Sequence, residues 1–277
     1  MRPIFHYFGH HQKSKHGRKY SLKRDTNPRM SCMRLPFLDN APLPEHVDNG
    51  MGVLPPCYDQ GQLGICYACA VARAVHYWEL KTPPTSGAFM PSIFGIAWNA
   101  QIACKNTVDT KEEDGIYSLR ATTEPLLTAG FFPESMMPRI KENLDVAPNA
   151  TCVMVGQHHL ATGCAGVAQD LYSIKSCLAS GQVIVFGMTI YPQYESSQCM
   201  MDGMVDMPDW IDRHLKGPLG GHAQLIVGYD DHSQRFIIDG SWGMAGDRGR
   251  FHIPYAYLTN PVLAFDFQII NGVKVLP

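Results

Sequence analysis

The order of sequence patterns along the chain predicts an α+β fold made of two lobes with a cleft between them. The first half shows apolar residues at helical spacing, and the second half is dominated by short apolar runs typical of strands. The 25 glycines and 20 prolines among 277 residues indicate many loops. Helices followed by strands favour the α+β class, and substrates commonly bind where two lobes meet.

Helices are predicted mainly in the first half. A buried helix begins near Cys66, where small or apolar residues recur at helical spacing: Cys66, Cys69, Ala70, Ala74 and Tyr77. A second helix is predicted at 91–103, because Pro91 suits a first turn. A third is predicted at 117–129, bent or restarted at Pro125 and closed by Gly130.

The second half is predicted to contain one helix and then a series of strands. The helix covers 169–179 and ends near Gly181, and the apolar run at 183–185 follows it as a strand. Four later segments with strand-like composition follow: 223–230, 235–239, 249–253 and 264–270. The helical lobe is therefore placed at about 58–150 and the β-rich lobe at about 151–277, within a domain of residues 35–277.

Residues 1–34 form a basic N-terminal arm. They carry nine lysines or arginines and one acidic residue, Asp25, so the arm has a net charge of +8 although the whole chain has −2. Such an arm suits an acidic partner, a nucleic acid or the acidic body of its own chain, and a solvated tail is the alternative. Four histidines leave a metal site open as well: His6, His10, His11 and His16.

Signals for secretion, membrane insertion and disulfide scaffolding are not found in the sequence. The opening residues lack the apolar region of a secretory signal, and no apolar run approaches the roughly 18 residues that span a bilayer. The nine cysteines are odd in number and irregularly spaced, which favours a reducing compartment. We expect no membrane partner.

Cys66 and His222 are the candidates for covalent chemistry. Cys66 ends a glycine-bearing loop and starts a helix, where the helix N-terminus favours the thiolate. Gln60, six residues earlier, would donate its side-chain amide to an oxyanion beside the sulfur. His222 follows a glycine pair at the start of a strand, so its imidazole is expected at the open rim of the cleft, where it would act as a base.

The segment Cys66-Tyr67-Ala68-Cys69 also has the Cys-x-x-Cys spacing of thiol-disulfide oxidoreductases. That function requires a βαβ unit with a strand before the motif, whereas a loop rich in glutamine and glycine precedes it here. Cys69 falls on the buried face of the predicted helix and is expected to pack in the core.

Three segments resemble papain-like cysteine peptidases. DQGQLGICYA, residues 59–68, resembles their nucleophile segment. GGHAQLIVGYDD at 220–231, followed by FIIDGSWG at 236–243, resembles their histidine strand and the strand after it. The resemblance is nearest to the compact bacterial, archaeal and viral branch and covers about residues 50–270. It implies a papain-like fold with a helical left lobe, an antiparallel β right lobe and an active-site cleft between them.

The resemblance also implies roles for single residues. Cys66 would be the nucleophile, His222 the general base and acid, and Gln60 an oxyanion donor together with the backbone amide of Cys66. Gly115 and Gly221 would contact the substrate backbone. The implied activity is hydrolysis of peptide bonds in a polypeptide substrate, with no metal and no organic cofactor.

The chain departs from the family at the residues that orient and shield the imidazole of His222. Gly240 stands where the family has the asparagine that orients the imidazole, and Met244 begins a segment that lacks the second tryptophan of the family, so both parts of this support are expected to be absent. Asp239 should face away from His222, because adjacent strand residues point to opposite faces.

Two functions therefore stay open. One is a peptidase with an atypical triad. The other is a catalytically weak or inactive papain-like fold that serves as a structural or binding component, for example of a virus particle, with the basic arm docking to a partner. A cytoplasmic or virion-associated location is expected in either case.

Overall fold

The computed structural model describes residues 14–20, 22–25, 42–85, 87–107, 118–143 and 146–276. Helices pack on an antiparallel sheet, as the sequence predicts for the α+β class. The helices, in chain order, are α1 Cys66–Lys81, α2 Ile93–Thr107, α3 Leu119–Thr123, α4 Ala150–His158, α5 Leu171–Ala179, α6 Ser197–Asp202 and two single turns, α7 Ala245–Arg248 and α8 Tyr255–Leu258.

The helix predicted at 117–129 is confirmed as an interrupted one. α3 ends at Thr123, and a tighter 3₁₀ turn, Glu124–Leu127, continues with Pro125 in its first positions. Proline lacks the N–H that would continue the α-helical ladder, so the chain restarts there. Gly130 follows with a φ of +70°, which suits the end of a helical segment.

The main sheet has seven strands in the order β3-β8-β4-β5-β6-β7, and β1 pairs with the end of β5. A separate pair joins β2 to β9. The strands are β1 His46–Asp48, β2 His159–Ala161, β3 Cys164–Gly166, β4 Ile184–Ile190, β5 Gly220–Asp230, β6 Arg235–Asp239, β7 Arg250–Pro254, β8 Ala264–Ile270 and β9 Val273–Val275.

The central strand β5 has an apolar core on each side. Alternate residues of a strand point to opposite faces. Leu225 and Val227 accordingly join the cluster around α1 and α2, whereas Ile226 joins the cluster on the other face. Tyr229 joins the same cluster as Ile226, because the pairing of β5 with β6 shifts register between Ile226 and Gly228. Burial on both faces fixes the position of β5, and α1 packs directly against it. The start of α1 therefore lies beside the start of β5.

Within the part of the chain that the structure describes, no helix combines the length and the hydropathy needed to cross a membrane.

Candidate active site

Cys66 is the first residue of α1 and is fully buried. Burial raises the pKa of its thiol to about 11, and three backbone N–H groups oppose that rise: those of Ala223, Tyr67 and Cys66 itself. Two of these amides belong to the first turn of α1, as expected for a sulfur at a helix N-terminus. The third belongs to the residue directly after His222. The fold therefore brings the two predicted chemical residues together from positions 156 apart in the sequence.

His222 lies near the start of β5 and is also fully buried. One face of its ring stacks on Trp242, with centroids 5.0 Å apart and an interplanar angle of 28°. Tyr20 meets the ring edge-on at 5.6 Å. Neither ring nitrogen has a hydrogen-bond partner among the described residues. Burial, with a further contribution from the charge of Arg18, lowers the pKa of His222 to about 3.

The expectation of an imidazole at an open rim is wrong for this state of the molecule. The reason is a segment of the N-terminal arm, residues 14–20 and 22–25, which we call the strap. Tyr20 of the strap contacts the rings of both His222 and Trp242. Arg18 places its guanidinium 4.0 Å from the centre of the Trp242 ring. The strap therefore excludes water from the imidazole.

Glu195 anchors the first part of the strap. It lies in the turn after β4, is 2% exposed, and binds three strap groups. The hydroxyl of Ser14 and the phenol of Tyr20 each donate to its Oε1 at 2.5 Å, and the backbone N–H of Lys15 donates to its Oε2 at 2.8 Å. These donors satisfy a carboxylate that would be costly to bury alone.

Leu22 anchors the second part of the strap and occupies the predicted substrate contact at Gly221. Its N–H donates to the Gly221 carbonyl at 3.2 Å, and its side chain is 4% exposed over Gly187. A Cβ added to Gly221 would lie 1.9 Å from the Leu22 carbonyl oxygen. Only glycine permits this approach, which explains one residue of the glycine pair before His222.

The strap ends in a small set of charged contacts. The N–H of Asp25 donates to Asp266 at 2.9 Å, and its carboxylate pairs with Arg120 at 2.7 Å. Arg24 bonds the carbonyl of Pro261. Together with the bonds to Glu195, these contacts show that the described part of the arm binds the body of its own chain, through hydroxyl, backbone and carboxylate groups of the strap as well as Arg24.

Gln60 is buried on the loop that precedes α1, where the sequence places it. Its Oε1 accepts a bond from the Ser241 hydroxyl at 2.5 Å, and its Nε2 donates to the Leu63 carbonyl at 2.9 Å. Its backbone N–H donates to the Ser241 carbonyl at 2.8 Å. A side-chain amide has two N–H donors. One of them is thus used by Leu63.

Gly240 stands at the position of the family asparagine, and its neighbours leave little room for a side chain there. A Cβ added to Gly240 would lie 2.9 Å from the Gly249 oxygen and 3.0 Å from the Phe251 ring, so Phe251 crowds this position. Asp239 faces away from His222, as predicted, and forms two bonds of 2.8 and 2.9 Å with the buried Arg73. No carboxylate or amide replaces the missing orienter among these residues.

The expectation that aromatic cover is absent is wrong. The sequence lacks a second tryptophan near Met244, but Trp242 itself stacks on His222 and lies edge-on to Phe251 at 5.5 Å. Sequence reasoning misses this because it depends on a ring orientation that only the packed sheet defines. The ring of His222 is therefore held by stacking and not by a hydrogen bond.

Sequence reasoning also missed Tyr20, Leu22 and Glu195. Nothing in their spacing marks them, because each acts across a long sequence separation. The excess of positive charge in the arm was the one available signal. Gly115 lies outside the described residues, and so do His6, His10 and His11. Among the residues that the structure describes, no group of three or more histidine, cysteine or acidic side chains could hold a metal ion.

Comparisons with known proteins agree on one group. No family model matches the sequence. An uncharacterized peptidase C1-like protein of Acanthamoeba polyphaga mimivirus is 30% identical over 224 residues, which are 78% of this chain and 69% of that protein. The structure of xylellain, a cysteine protease from Xylella fastidiosa, is 28% identical with a TM-score of 0.80 and covers 96% of this chain and 98% of its own. A procathepsin B from Trypanosoma congolense shares the fold, with a TM-score of 0.63 at 14% identity, over 86% of this chain and 81% of its own.

Proposed function

Because this chain belongs to the papain-like cysteine peptidases, we propose that it hydrolyses peptide bonds at Cys66 and His222, and that the structure represents its latent form. The observation that carries the proposal is the hydrogen bond from the Ala223 N–H to the Cys66 sulfur, which brings the residue next to His222 against the thiol. The substrate is a polypeptide.

The proposed reaction follows from the positions of these groups. His222 takes the proton of the Cys66 thiol, and the thiolate attacks the carbonyl carbon to form a C–S bond. The oxyanion receives hydrogen bonds from Gln60 and from the backbone amide of Cys66. His222 then gives its proton to the leaving amine as the C–N bond breaks. Water attacks the thioester with His222 as base, which releases the acid and restores the thiol.

Latency is supported by the electrostatics of the closed cleft. Burial raises the pKa of Cys66 to about 11 and lowers that of His222 to about 3, so the thiol and the neutral imidazole are the favoured forms. Transfer of the proton from sulfur to nitrogen is unfavourable while these values hold. Release of the strap would admit water, which stabilises both charged forms.

Trp242 is proposed to orient the imidazole in place of the missing asparagine. Its stacking restrains the tilt of the His222 ring but, unlike a hydrogen bond to one ring nitrogen, does not fix which nitrogen carries the proton. Loss of one member of a triad still leaves residual catalysis. We therefore propose a slower enzyme than a member of the family that keeps the asparagine.

The second candidate function is an inactive fold that serves as a binding component. The crowding of Gly240 by Phe251 favours it, because no small change of side chain would restore the orienter. In this case the arm, residues 1–34, would dock to an acidic or nucleic-acid partner once it leaves the cleft.

Peptide hydrolysis by strap variants of the full chain tests the proposal. Leu22→Asp places a carboxylate in an apolar site and should release the strap, raising hydrolysis of a mixed peptide library at least about 100-fold. Leu215→Asp is the matched control, because Leu215 is 69% exposed, and it should leave the rate unchanged. Absence of turnover in Leu22→Asp, with a melting temperature close to that of the parent, would reject the peptidase and favour the inactive fold.

A further inference from the structure

Glu195 takes no part in the proposed reaction. Its carboxylate is nevertheless buried, and it binds Tyr20, which contacts the ring of His222. All three of its described hydrogen bonds come from the strap: Ser14, Lys15 and Tyr20. No lysine or arginine outside the strap pairs with it among the residues that the structure describes. When the strap leaves, the carboxylate loses these donors together. Water or a donor group of a bound substrate then takes their place, because a carboxylate closed off from both is strongly unfavourable.

The strap shows how far Glu195 lies from the reacting atoms. Tyr20 spans the interval, since its ring lies 5.6 Å from the His222 ring and its hydroxyl bonds Glu195. A substrate residue next to the bond being cleaved would start from a similar place. Lysine and arginine side chains have a reach comparable to that of tyrosine, whereas aspartate and glutamate would meet a like charge.

Trp242 adds a second feature that favours a cation. The guanidinium of Arg18 lies 4.0 Å from the centre of its ring, which is a cation–π contact. The wall of the cleft beside His222 thus combines a buried carboxylate with an aromatic face that already holds a positive group. A lysine or arginine would add the attraction between opposite charges to its hydrogen bonds with that carboxylate.

We infer that Glu195 and Trp242 form a cation-selective subsite, and that the enzyme prefers polypeptides with a lysine or arginine adjacent to the cleaved bond. The inference rests on the proposed peptidase function. It makes Glu195 a specificity-determining residue, with the basic strap as the internal occupant of the same site. Removal of the charge should therefore alter which peptides are cleaved more than how fast uncharged peptides are cleaved.

The substrate test compares Leu22→Asp with Leu22→Asp/Glu195→Gln in the full chain. The peptides differ at one of the two positions flanking the cleaved bond, which holds lysine, arginine or norleucine. Mass spectrometry gives the cleavage rate of each peptide, and the rate of the basic peptide is divided by the rate of the norleucine peptide. A ratio within one variant cancels any difference in strap release. We expect a preference of about tenfold or more at one position, reduced to less than about threefold by Glu195→Gln.

Glu45→Gln is the charge-matched control. Glu45 is exposed and precedes β1, which pairs with the end of β5 opposite to His222. This variant should keep the full preference for basic residues. A preference that survives Glu195→Gln, or no preference at any position, would overturn the subsite.

A second test needs no turnover. Tyr20→Lys should keep the strap closed by pairing with Glu195, whereas Tyr20→Leu should release it, so alkylation of Cys66 should be about tenfold faster in Tyr20→Leu. The difference should disappear when Glu195→Gln is added to both. Equal alkylation of the two variants in the parent background would contradict the inference. If Leu22→Asp cleaves no peptide, the proposed activity fails, and this comparison alone decides whether Glu195 selects a cation.

Discussion

Acidification should release the strap, because His222 stays neutral only while the strap keeps water from its ring. The closed form holds the pKa of His222 at about 3, first through burial and then through the charge of Arg18. A solvated histidine has a pKa of about 6.5. Between these values the open form binds a proton that the closed form does not, so each unit of acidification favours the open form.

The direction and the size of the pH effect on strap opening follow from the lowered pKa of His222. The full preference for the closed form is present above about pH 6.5 and is lost as the pH falls toward about 3. Well inside this window each pH unit changes the ratio of open to closed form by about tenfold, and the change is smaller near pH 6.5, where the open form is already half protonated. Acidification from pH 6.5 to 4.5 therefore raises the ratio about 50-fold, or about 2 kcal/mol.

Hydrogen exchange of the Leu22 amide measures this opening, because that N–H bonds the Gly221 carbonyl only in the closed form. Its protection factor, corrected for the intrinsic pH dependence of exchange, should fall about 50-fold between pH 6.5 and 4.5. The Asp266 carboxyl, which accepts a bond from the strap, also responds to acid because burial raises its pKa. His222→Gln keeps this carboxyl and removes the imidazole. An equal loss of protection in the parent and in His222→Gln would refute the reasoning.

Three further substitutions test the support around the site. Gly240→Ala should lower the free energy of unfolding by about 1–3 kcal/mol in urea titrations, because the added methyl group meets Phe251. For the same reason Gly240→Asn alone should not raise activity. Asp239→Asn should lower the free energy of unfolding by about 3–5 kcal/mol, since it leaves the charge of Arg73 buried without its partner. Gln60→Ala, in a strap-released chain, should lower kcat about 10²-fold to 10³-fold with a smaller change in KM.

Each of these expectations has a clear contrary result. A stabilising Gly240→Ala would mean that Phe251 moves aside easily. A melting temperature unchanged by Asp239→Asn would mean that the buried pair with Arg73 adds little. A Gln60→Ala variant with full kcat would remove that side chain from oxyanion stabilisation, and circular dichroism would verify that its loop still supports the fold.

The elements predicted best from the sequence are those with strong local patterns. The bounds of β6 and β8 match their predicted ranges, 235–239 and 264–270, because each is an apolar run limited by turn or polar residues. The start of α1 at Cys66 also matches, since a glycine-bearing loop precedes a run of residues at helical spacing.

Several elements were missed for lack of a local pattern. The strands β2, β3 and β9 have three residues each and exist through pairing with distant strands. The helix α4 was missed although Asn149 caps it by accepting a bond from the Cys152 N–H. A capping residue is a detectable signal, but the residues that follow show no marked apolar face.

In the candidate site, too, some residues could be expected from the sequence and others could not. The positions of Cys66, Gln60 and His222 could be expected from short segments that resemble a known family. The strap could not, because the burial of Leu22 and the bonds to Glu195 join residues that are far apart in the sequence and share no motif. The catalytic, substrate-binding and domain assignments remain predictions to be tested by mutation.

Trapping of the acyl-enzyme tests the central claim most directly. The Leu22→Asp chain is mixed with an activated peptide ester, quenched in acid within milliseconds and digested for mass spectrometry. The account predicts a thioester mass on Cys66 that disappears in His222→Ala at neutral pH. No adduct on Cys66, or equal modification of the other cysteines, would contradict it.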